Sequence, residues 1–494
     1  MAQLTPIAFA AIISLFPIYV VVRAIADPLR KVPGPFWARF SRLWYLREVY
    51  NGAFEKRSLQ LHEKYGPIVR IAPNEYSIDD PTAVKTIYGL GTKFYKSPWY
   101  IASGNPDPEH LDLFTERDPT KHALMRRKVA GLYSASSLVR MEPFVDECVG
   151  LFVQRLNEVA ATGRSINVQH WMQCYAFDVI GYITLSKRFG FLDRCEDAPG
   201  MFTSLHSYLK YASRVGVFSE VHSIASKLLA KLGSGGMSHM TNFVGAQLQD
   251  RQQRLAEKEG GGTDDDFMSK VLAQHKADPE KFTFNDVFTT CITNIGAGSD
   301  TTSISLSAVM YYLIRNPDVL DKLRKEVDEK LPPGSTVENF SFQDAQKLPY
   351  LQACIKEALR VHPATGLPLG RVVPSGGAEI MGVLFPAGTV VGINTWVAHA
   401  NKEVFGLDAA SYRPERWLIN DKQQLSRMEG YYIPFGHGSR TCIGKNISLL
   451  EISKLVPILV HRFNFNLVRP EEALKCQNVW FVKQTNIECR VSLR

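Results

Sequence analysis

One cysteine of this chain stands in a setting suited to metal binding. Cys442 lies in the stretch 435–444, FGHGSRTCIG, and the stretch 447–456 that follows has the apolar period of a helix. Glycines let a backbone bend tightly around a bound metal, and a helix N-terminus stabilises a thiolate. An isolated buried cysteine is more often inert. The interpretation of Cys442 as a metal ligand therefore depends on the rest of the chain.

A second candidate site lies in a long helical segment that begins near Thr283 and ends near Arg315. Gly296 and Gly298 interrupt its middle, directly before Asp300-Thr301-Thr302. Each glycine inside a helix costs about 1 kcal/mol relative to alanine, so we expect a reason for them, such as the close approach of a flat cofactor. Taken alone, Asp300-Thr301 would more often be a solvent-facing pair or a local kink.

Together these motifs resemble those of the cytochrome P450 family. Residues 435–444 match its haem loop, Phe-x-x-Gly-x-Arg-x-Cys-x-Gly, and residues 298–302 match its oxygen-activation motif, Gly-x-Asp-Thr-Thr. Two more motifs, Glu-x-x-Arg at 357–360 and Pro-Glu-Arg-Trp at 414–417, follow in the family's order. The resemblance implies that Cys442 is the axial thiolate ligand of haem iron. It also implies that Thr301 and Asp300 are catalytic and assist proton delivery during dioxygen activation.

The resemblance also assigns the residues that hold haem b. Side chains at matching positions would bind its propionates, namely Arg440, Arg126, His122 and Arg371. His122 stands where the family usually has tryptophan, four residues before Arg126 and so on the same helix face. Three loop residues besides Cys442 complete the cofactor site: Phe435, Gly436 and Gly444.

Further residues have expected roles outside the chemistry. Glu357, Arg360 and Arg416 resemble an ion-pair network that holds the core behind the haem loop, so their expected role is structural. The substrate pocket is expected to contain Ala297, Thr365, Leu369, Trp99 and Phe481, although plain packing is the commoner role for a residue such as Trp99.

Composition narrows the class of protein. The chain has 494 residues, of which 45% are hydrophobic, and it shows neither repeats nor long linkers, which favours one large catalytic unit. Its eight scattered cysteines form no CxxC pair, so a reducing compartment without disulfides or a zinc site is expected. The net charge of +8 is spread along the chain, which argues against nucleic-acid binding. The resemblance implies a mainly α fold with small β-sheets (α+β), the cytochrome P450 fold.

The pattern along the chain supports this architecture. Residues 67–78 predict a β-hairpin, and residues 381–393 predict a second hairpin, turning at 386–388, that joins the same small sheet. Between 141 and 281 the chain is predicted to be mostly helical. Asp264-Asp265-Asp266 follows a glycine run and precedes an apolar helix, so helix capping is expected there and not a metal site.

The N-terminus predicts a membrane anchor. Residues 1–22 carry no charge, and basic residues follow from Arg23 onward. We therefore expect a transmembrane helix within 1–30 and a catalytic domain over 31–494, single-pass in the endoplasmic reticulum membrane with the domain in the cytosol. A cleaved signal peptide is the alternative, since Ala24-Ile25-Ala26 has the pattern of a cleavage site.

The function implied by the resemblance is a haem-thiolate monooxygenase that uses O2 to oxidise a lipophilic small molecule. The stretch His122-Ala123-x-x-Arg126-Arg127-Lys128 resembles microsomal enzymes of filamentous fungi, near the pisatin demethylase type, which implies specialised metabolism or detoxification. Because the chain has no nucleotide or flavin motif, NADPH-derived electrons are expected from NADPH-cytochrome P450 reductase, with cytochrome b5 as a possible second donor. Arg127, Lys128 and Lys445 are candidates for docking such a partner.

Two alternatives remain open from the sequence. The chain could be an isomerase or dehydratase of the same fold that needs no external electrons, or a non-catalytic haem sensor. The Asp300-Thr301 pair favours a monooxygenase, and reductase-dependent NADPH consumption separates it from both alternatives.

Overall fold

The computed structural model describes residues 18–105, 107, 111–197, 200–231, 236–257, 266–331 and 340–494. Helices dominate it, beginning with α1 over residues 18–26. The other helices are α2 (Leu43–Tyr50), α3 (Phe54–Tyr65), α4 (Pro81–Tyr88), α5 (Pro119–Val129), α6 (Ala135–Thr162), α7 (Val168–Leu185), α8 (Phe191–Arg194), α9 (Met201–Val215), α10 (His222–Lys231), α11 (Gly236–Glu257), α12 (Phe267–Ala277), α13 (Phe284–Arg315), α14 (Pro317–Lys330), α15 (Phe342–Gln346), α16 (Pro349–Val361), α17 (Thr395–His399), α18 (Lys402–Phe405), α19 (Lys422–Tyr431) and α20 (Lys445–Arg462).

The strands are short and form small sheets, as the mainly α fold class requires. A five-stranded sheet has the order β1-β2-β8-β5-β3, and a three-stranded sheet has the order β4-β12-β9. Two hairpins, β6-β7 and β10-β11, stand apart. The strands are β1 (Ile68–Ala72), β2 (Glu75–Ile78), β3 (Tyr95–Lys96), β4 (Ser165–Asn167), β5 (Arg371–Val372), β6 (Ala378–Ile380), β7 (Val383–Phe385), β8 (Val390–Gly392), β9 (Phe463–Leu467), β10 (Cys476–Val479), β11 (Phe481–Gln484) and β12 (Glu488–Leu493).

The long helix α13 crosses the middle of the fold. Thr283 caps its N-terminus, since the Thr283 hydroxyl accepts from the backbone N–H of Asp286, whose carboxylate accepts in return from the N–H of Thr283. The helix packs against α7, α16 and α20, and apolar side chains of both its halves are buried in the largest apolar core of the described residues. The predicted bounds of this helix are confirmed to within one residue.

The second predicted hairpin is partly wrong. The chain turns at Met381-Gly382, where both residues have positive φ (53° and 74°), and this turn joins β6 to β7 in a separate two-stranded sheet. Only β8 enters the five-stranded sheet, where it pairs with β2 and β5. A positive-φ turn at Met381-Gly382 was missed because methionine is not a typical turn residue.

The N-terminal segment joins the domain earlier than residue 31. Asp27 pairs with the buried Arg70 (2.7 Å), and Leu29 and Val32 are buried in the core that surrounds the five-stranded sheet. Of the helices in the described part of the chain, none has the length and apolarity needed to cross a membrane. Residues 1–17, which carry most of the predicted anchor, lie outside the described residues.

Candidate active site

A cavity of about 320 Å³ lies between α13, the loop 434–444, the segment before α5 and the β10-β11 hairpin. Most of the residues that the sequence assigned to cofactor or substrate line it: His122, Arg126, Ala297, Thr301, Thr365, Leu369, Arg371, Phe435, Gly436, Arg440, Cys442, Gly444 and Phe481. Asp300 and Trp99 do not. The fold thus brings together side chains that are more than 300 positions apart in the sequence.

The loop before α20 presents the Cys442 thiol to this cavity. The backbone N–H of Cys442 donates to the Phe435 carbonyl (2.8 Å), which closes the loop. Gly436 and Gly438 have φ values of 72° and 67°, a region that favours glycine. A Cβ on Gly438 would also collide with the Tyr88 carbonyl oxygen. These two glycines make the bend that the sequence predicts.

Gly444 has a different role from the other loop glycines. Its φ is −81°, a conformation open to any residue, so it is not needed for the bend. A Cβ built there would meet nothing within 4 Å and would project into open space where Gly444 lines the cavity. Glycine at this position therefore leaves room beside the thiol.

Burial and the neighbouring donors and cations have opposite effects on the pKa of the Cys442 thiol. Protein surrounds the thiol although it is open to the cavity, and this burial raises the pKa of Cys442. The backbone N–H groups of Gly444 and Lys445, at the start of α20, and the charges of Arg126 and Lys445 lower it. A bound metal ion would supply the remaining stabilisation that a thiolate needs.

Three guanidinium groups line the cavity without a carboxylate partner. Arg126 donates to the Thr441 carbonyl (2.9 Å), Arg440 to the Glu116 carbonyl (2.6 Å), and Arg371 to the Gly370 carbonyl (2.9 Å). Within the described residues, none of the three is ion-paired. Backbone contacts fix their positions and leave their charge for an anion.

His122 lies beside these arginines and is buried. Burial, together with Arg440 and the other nearby basic side chains, lowers the pKa of His122 to about 3. The imidazole is therefore neutral at physiological pH, and it contributes one N–H donor without adding positive charge.

Lys96 completes the set of cations and was not expected from the sequence. It is buried, it donates to the Phe114 carbonyl, and its ammonium lies 4.5 Å from the Tyr100 ring centroid and 4.6 Å from that of Phe114. Burial and the nearby Arg371 hold the pKa of Lys96 well below its usual range. A single lysine in a strand of two residues carries no sequence signal, so only the fold reveals it.

These residues fit haem b. The group needs one thiolate at its iron and cations for two carboxylates, and the cavity offers one thiol together with convergent, unpaired guanidinium groups. The absence of a Cβ at Gly444 leaves the space beside the thiol free.

Thr301 and Asp300 have separate surroundings. The Thr301 hydroxyl donates to the Ala297 carbonyl (2.8 Å) and lies on the cavity wall. Asp300 is buried on another side of α13, where it accepts from Gln173 (2.9 Å) and lies 3.7 Å from the Lys483 ammonium. Gln173 in turn accepts from Lys483 (2.6 Å). The sequence predicted both residues but not the partners of Asp300.

Of the residues expected to contact substrate, four line the cavity and Trp99 does not. The backbones of Thr365 and Phe481 form an isolated antiparallel β-bridge. Both residues line the cavity, as do Ala297 and Leu369. Trp99 stands one layer behind, stacked on Trp480 at 4.4 Å. Three more residues of α13 line the cavity and were not predicted from the sequence: Thr293, Thr289 and Asn285. They precede Ala297 and Thr301 at intervals of four residues, so they lie on the same face of the helix.

The residues with an expected structural role form one buried network. Arg360 makes two bonds of 2.8 Å to the Glu357 carboxylate, and Arg416 makes a third at 2.9 Å. Arg360 also donates to the His399 carbonyl (2.7 Å), and Nε2 of His399 accepts from the N–H of Ile433 (2.9 Å), just before the cysteine loop. The network is thus linked to the loop that carries Cys442.

The fold and the lining of this cavity fit a protein that holds haem through a cysteine thiolate. The chain belongs to the cytochrome P450 family, whose model matches residues 31–487. It is 38% identical over 490 residues to a pisatin demethylase of Fusarium vanettenii, with 97% of this chain and 92% of the relative covered. It is 36% identical to the cytochrome P450 monooxygenase gsfF of Penicillium aethiopicum, with 94% of each covered. It is 37% identical to the cytochrome P450 monooxygenase pkfB of Emericella nidulans, with 94% of this chain and 91% of the relative covered. The protein is a cytochrome P450 monooxygenase.

Proposed function

We propose that this enzyme inserts one oxygen atom from O2 into a lipophilic small molecule, in the specialised metabolism or detoxification of a filamentous fungus. The observation that carries the proposal is one cavity lined by both Cys442 and Thr301 and continued by aromatic side chains. Similarity to fungal monooxygenases over nearly the whole chain supports it.

The residues around the cofactor act by binding and orientation. Haem, when bound, supplies the oxidative chemistry with O2 and two electrons. The Cys442 thiolate, held by the N–H groups at the start of α20, would bind its iron. Arg126, Arg371 and Arg440 would neutralise the propionates, and their backbone contacts hold the three guanidinium groups in position.

Thr301 and Asp300 assist the delivery of protons to the cavity. The Thr301 hydroxyl donates to the Ala297 carbonyl, so its oxygen lone pairs are free to accept from a water in the cavity. Asp300 lies next to it on α13 and is connected through Gln173 to Lys483, a half-buried cation. Protons supplied from the side of α13 that carries Asp300, Gln173 and Lys483 reach the cavity through the Thr301 hydroxyl and its water.

The expected partners are electron donors, because the sequence contains no nucleotide or flavin motif and carries basic residues that could dock them. Electrons come from NADPH through NADPH-cytochrome P450 reductase, with cytochrome b5 as a second donor. Arg127 and Lys445 are the stronger docking candidates, because Lys128 is paired with Asp286 (3.0 Å). An anchor within residues 1–26 would hold the enzyme on the cytosolic face of the endoplasmic reticulum.

The test is reconstitution with the reductase in lipid vesicles under 18O2. We expect NADPH consumption that depends on the reductase and a product that carries one 18O atom. A product formed without NADPH or reductase would instead support the isomerase or dehydratase. Haem binding without any turnover across a broad compound library would support the sensor.

A further inference from the structure

Two segments that are far apart in sequence meet at one wall of the cavity. Thr365 and Phe481 line this wall and are joined by their backbone bridge. The Val482 N–H donates to the Ala364 carbonyl (2.8 Å), which extends the contact by one residue on each side. The shape of the wall therefore depends on how the hairpin turn at Trp480, directly before Phe481, is held.

The turn at Trp480 is not a conformation that the residue favours by itself. Val479 and Phe481 on either side pair with each other, and Trp480 between them has a φ of 89°. Glycine is the residue that adopts such a φ at least cost, so tryptophan is strained there. A strained residue keeps its conformation only where the surrounding contacts impose it. The contacts around this turn are thus what fixes it.

The buried side chain of Asn478 supplies most of these contacts. Its Oδ1 accepts from the Trp480 N–H (3.2 Å), and its Nδ2 donates to the Gly366 carbonyl (3.1 Å). The Gly366 N–H in turn donates to the Trp480 carbonyl (2.8 Å). A Cβ on Gly366 would collide with the Asn478 amide, so the two segments meet without spare room. Asn478 therefore ties the turn to the segment that carries Thr365.

A carboxyl group on α3 orients Asn478 from behind. Glu55 is fully buried, and its Oε2 accepts from Nδ2 of Asn478 (2.8 Å). Its Oε1 is buried and has no hydrogen-bond partner within the described residues. Burial raises the pKa of Glu55, and the bond from Asn478 lowers it. A buried acid with one bare oxygen is costly, so its presence indicates a benefit, and the bond to Asn478 can supply one.

We propose that Glu55 and Asn478 are positioning residues for the oxidation. Neither lines the cavity, and both act through the turn at Trp480, which they hold so that Thr365 and Phe481 keep the shape that the substrate binds. The inference rests on the proposed function and adds two residues to the same site. The pair should matter for ligands that reach this wall and not for ligands that contact only the iron.

The test compares two nitrogen ligands of the haem-loaded full chain, read from the shift of the Soret band on titration. Imidazole is small and contacts little besides the iron, whereas the three aromatic rings of clotrimazole extend to the cavity walls. Asn478→Asp keeps the side-chain shape and the contact with the Trp480 N–H but removes both donated bonds. It should weaken clotrimazole about tenfold and leave imidazole unchanged, because a wall that is no longer preorganised must be ordered on binding.

Variants of Glu55 separate the hydrogen bond from bulk packing. Glu55→Gln keeps an oxygen that accepts from Asn478, so clotrimazole should bind within about twofold of the wild type. Glu55→Ala removes the acceptor and should weaken clotrimazole about as much as Asn478→Asp. Combining these two substitutions should not add their losses, because both act on one contact. Glu63→Ala, at an exposed residue of α3, should change neither ligand.

Three results would overturn the proposal. Clotrimazole and imidazole could weaken together in Asn478→Asp, neither could weaken, or Glu55→Gln could lose as much affinity for clotrimazole as Glu55→Ala. If the stronger variants do not take up haem, Glu55→Asp withdraws the carboxylate by one methylene and should weaken clotrimazole about threefold. Loss of haem in Glu55→Asp as well would assign the pair to folding alone and equally overturn the proposal.

Failure of this inference is distinguishable from failure of the proposed function. Each protein is first examined for the carbon monoxide spectrum of a thiolate-bound haem and for reductase-dependent NADPH consumption. A wild type that passes both, with variants that bind clotrimazole normally, refutes only the roles of Glu55 and Asn478. A wild type that fails either one refutes the proposed function.

Discussion

Asp300 and Thr301 are adjacent in sequence, but the helix gives them different surroundings. Successive residues of an α-helix are about 100° apart around its axis. The Thr301 hydroxyl therefore reaches the cavity, while the Asp300 carboxylate contacts Gln173 and Lys483. The motif that the sequence predicts as one acid-alcohol pair thus contains one group on the cavity wall and one group on another side of the helix.

Thr301→Ala should separate oxygen consumption from product formation. The variant removes the hydroxyl from the cavity and leaves the Cys442 loop intact, so haem content should be unchanged. Product per NADPH should fall about a hundredfold, the lower end of the range for a lost proton-transfer group, while peroxide rises. Peroxide and product are measured together in the reconstituted system.

Thr302→Ala is the matched control for this experiment. The Thr302 hydroxyl bonds to Ser448 (3.2 Å), between α13 and α20. Its removal should leave the ratio of product to peroxide nearly unchanged. Full coupling in Thr301→Ala, or equal uncoupling in both variants, would contradict the proton-handling role of Thr301.

Glu451 gives a prediction on pH. Both carboxyl oxygens are buried without a partner within the described residues, and burial raises the pKa of Glu451 well above its usual range. The folded state therefore keeps the proton after the unfolded state has lost it. Above the unfolded pKa, folding stability falls with pH by about 1.4 kcal/mol per unit until the folded pKa is reached.

Glu451→Gln should remove this contribution. We expect the melting temperature of the wild type to drop more between pH 5.5 and pH 8 than that of the variant, with both measured by calorimetry on haem-loaded protein. Lys322→Gln, at an exposed ion pair with Glu415 (2.7 Å), serves as the control. Parallel pH profiles for wild type and Glu451→Gln would show that Glu451 is ionised in the folded protein.

The limits of sequence reasoning at this scale are visible in single residues. Cys442 and Arg440 were predictable because their spacing in one loop is a motif. Lys96 was not, because its position at the cavity depends on long-range packing and its neighbours in sequence carry no pattern. Trp99 was assigned to the pocket because the resemblance places the cap of the pocket in that region, and the fold puts it behind Trp480.

At the scale of elements, the buried Glu357 network should control haem retention. Arg360→Met would leave Glu357 with one charged partner in a site that excludes water. Losing one partner of a buried pair costs about 3–5 kcal/mol. We expect a lower melting temperature and a lower ratio of haem to protein, because the network continues through His399 to the loop at Ile433.

The control for this prediction is the exposed pair of Lys322 with Glu415. Such surface pairs contribute about 0–1 kcal/mol, so Lys322→Ala should keep haem. Normal haem content in Arg360→Met would mean that the network does not support the cysteine loop.

The elements themselves were predictable to different degrees. α13 and α20 were found from the sequence because long helices repeat their apolar period many times. The β6-β7 hairpin was misplaced because strands of three residues hold too little pattern to fix a register. Which sheet a strand joins depends on partners far along the chain, such as β2 for β8.

At the scale of the whole molecule, the boundary between anchor and domain can be tested by truncation. A protein lacking residues 2–26 should keep its melting temperature and its haem, because Asp27 and the residues after it pack on the domain. A protein lacking residues 2–33 loses the buried Leu29 and Val32 and leaves Arg70 without its carboxylate. It should melt several degrees lower. Equal stability of the two would place the boundary after residue 33.

The role of Cys442 is tested most directly by the carbon monoxide difference spectrum of the reduced full-length protein. We expect the Soret band of a thiolate-ligated haem in the wild type, its loss in Cys442→Ala, and its retention in Cys476→Ala, at a half-buried cysteine outside the cavity. A wild type that binds haem without this band, or a Cys442→Ala variant that keeps it, would contradict the assignment of Cys442 and every role derived from it.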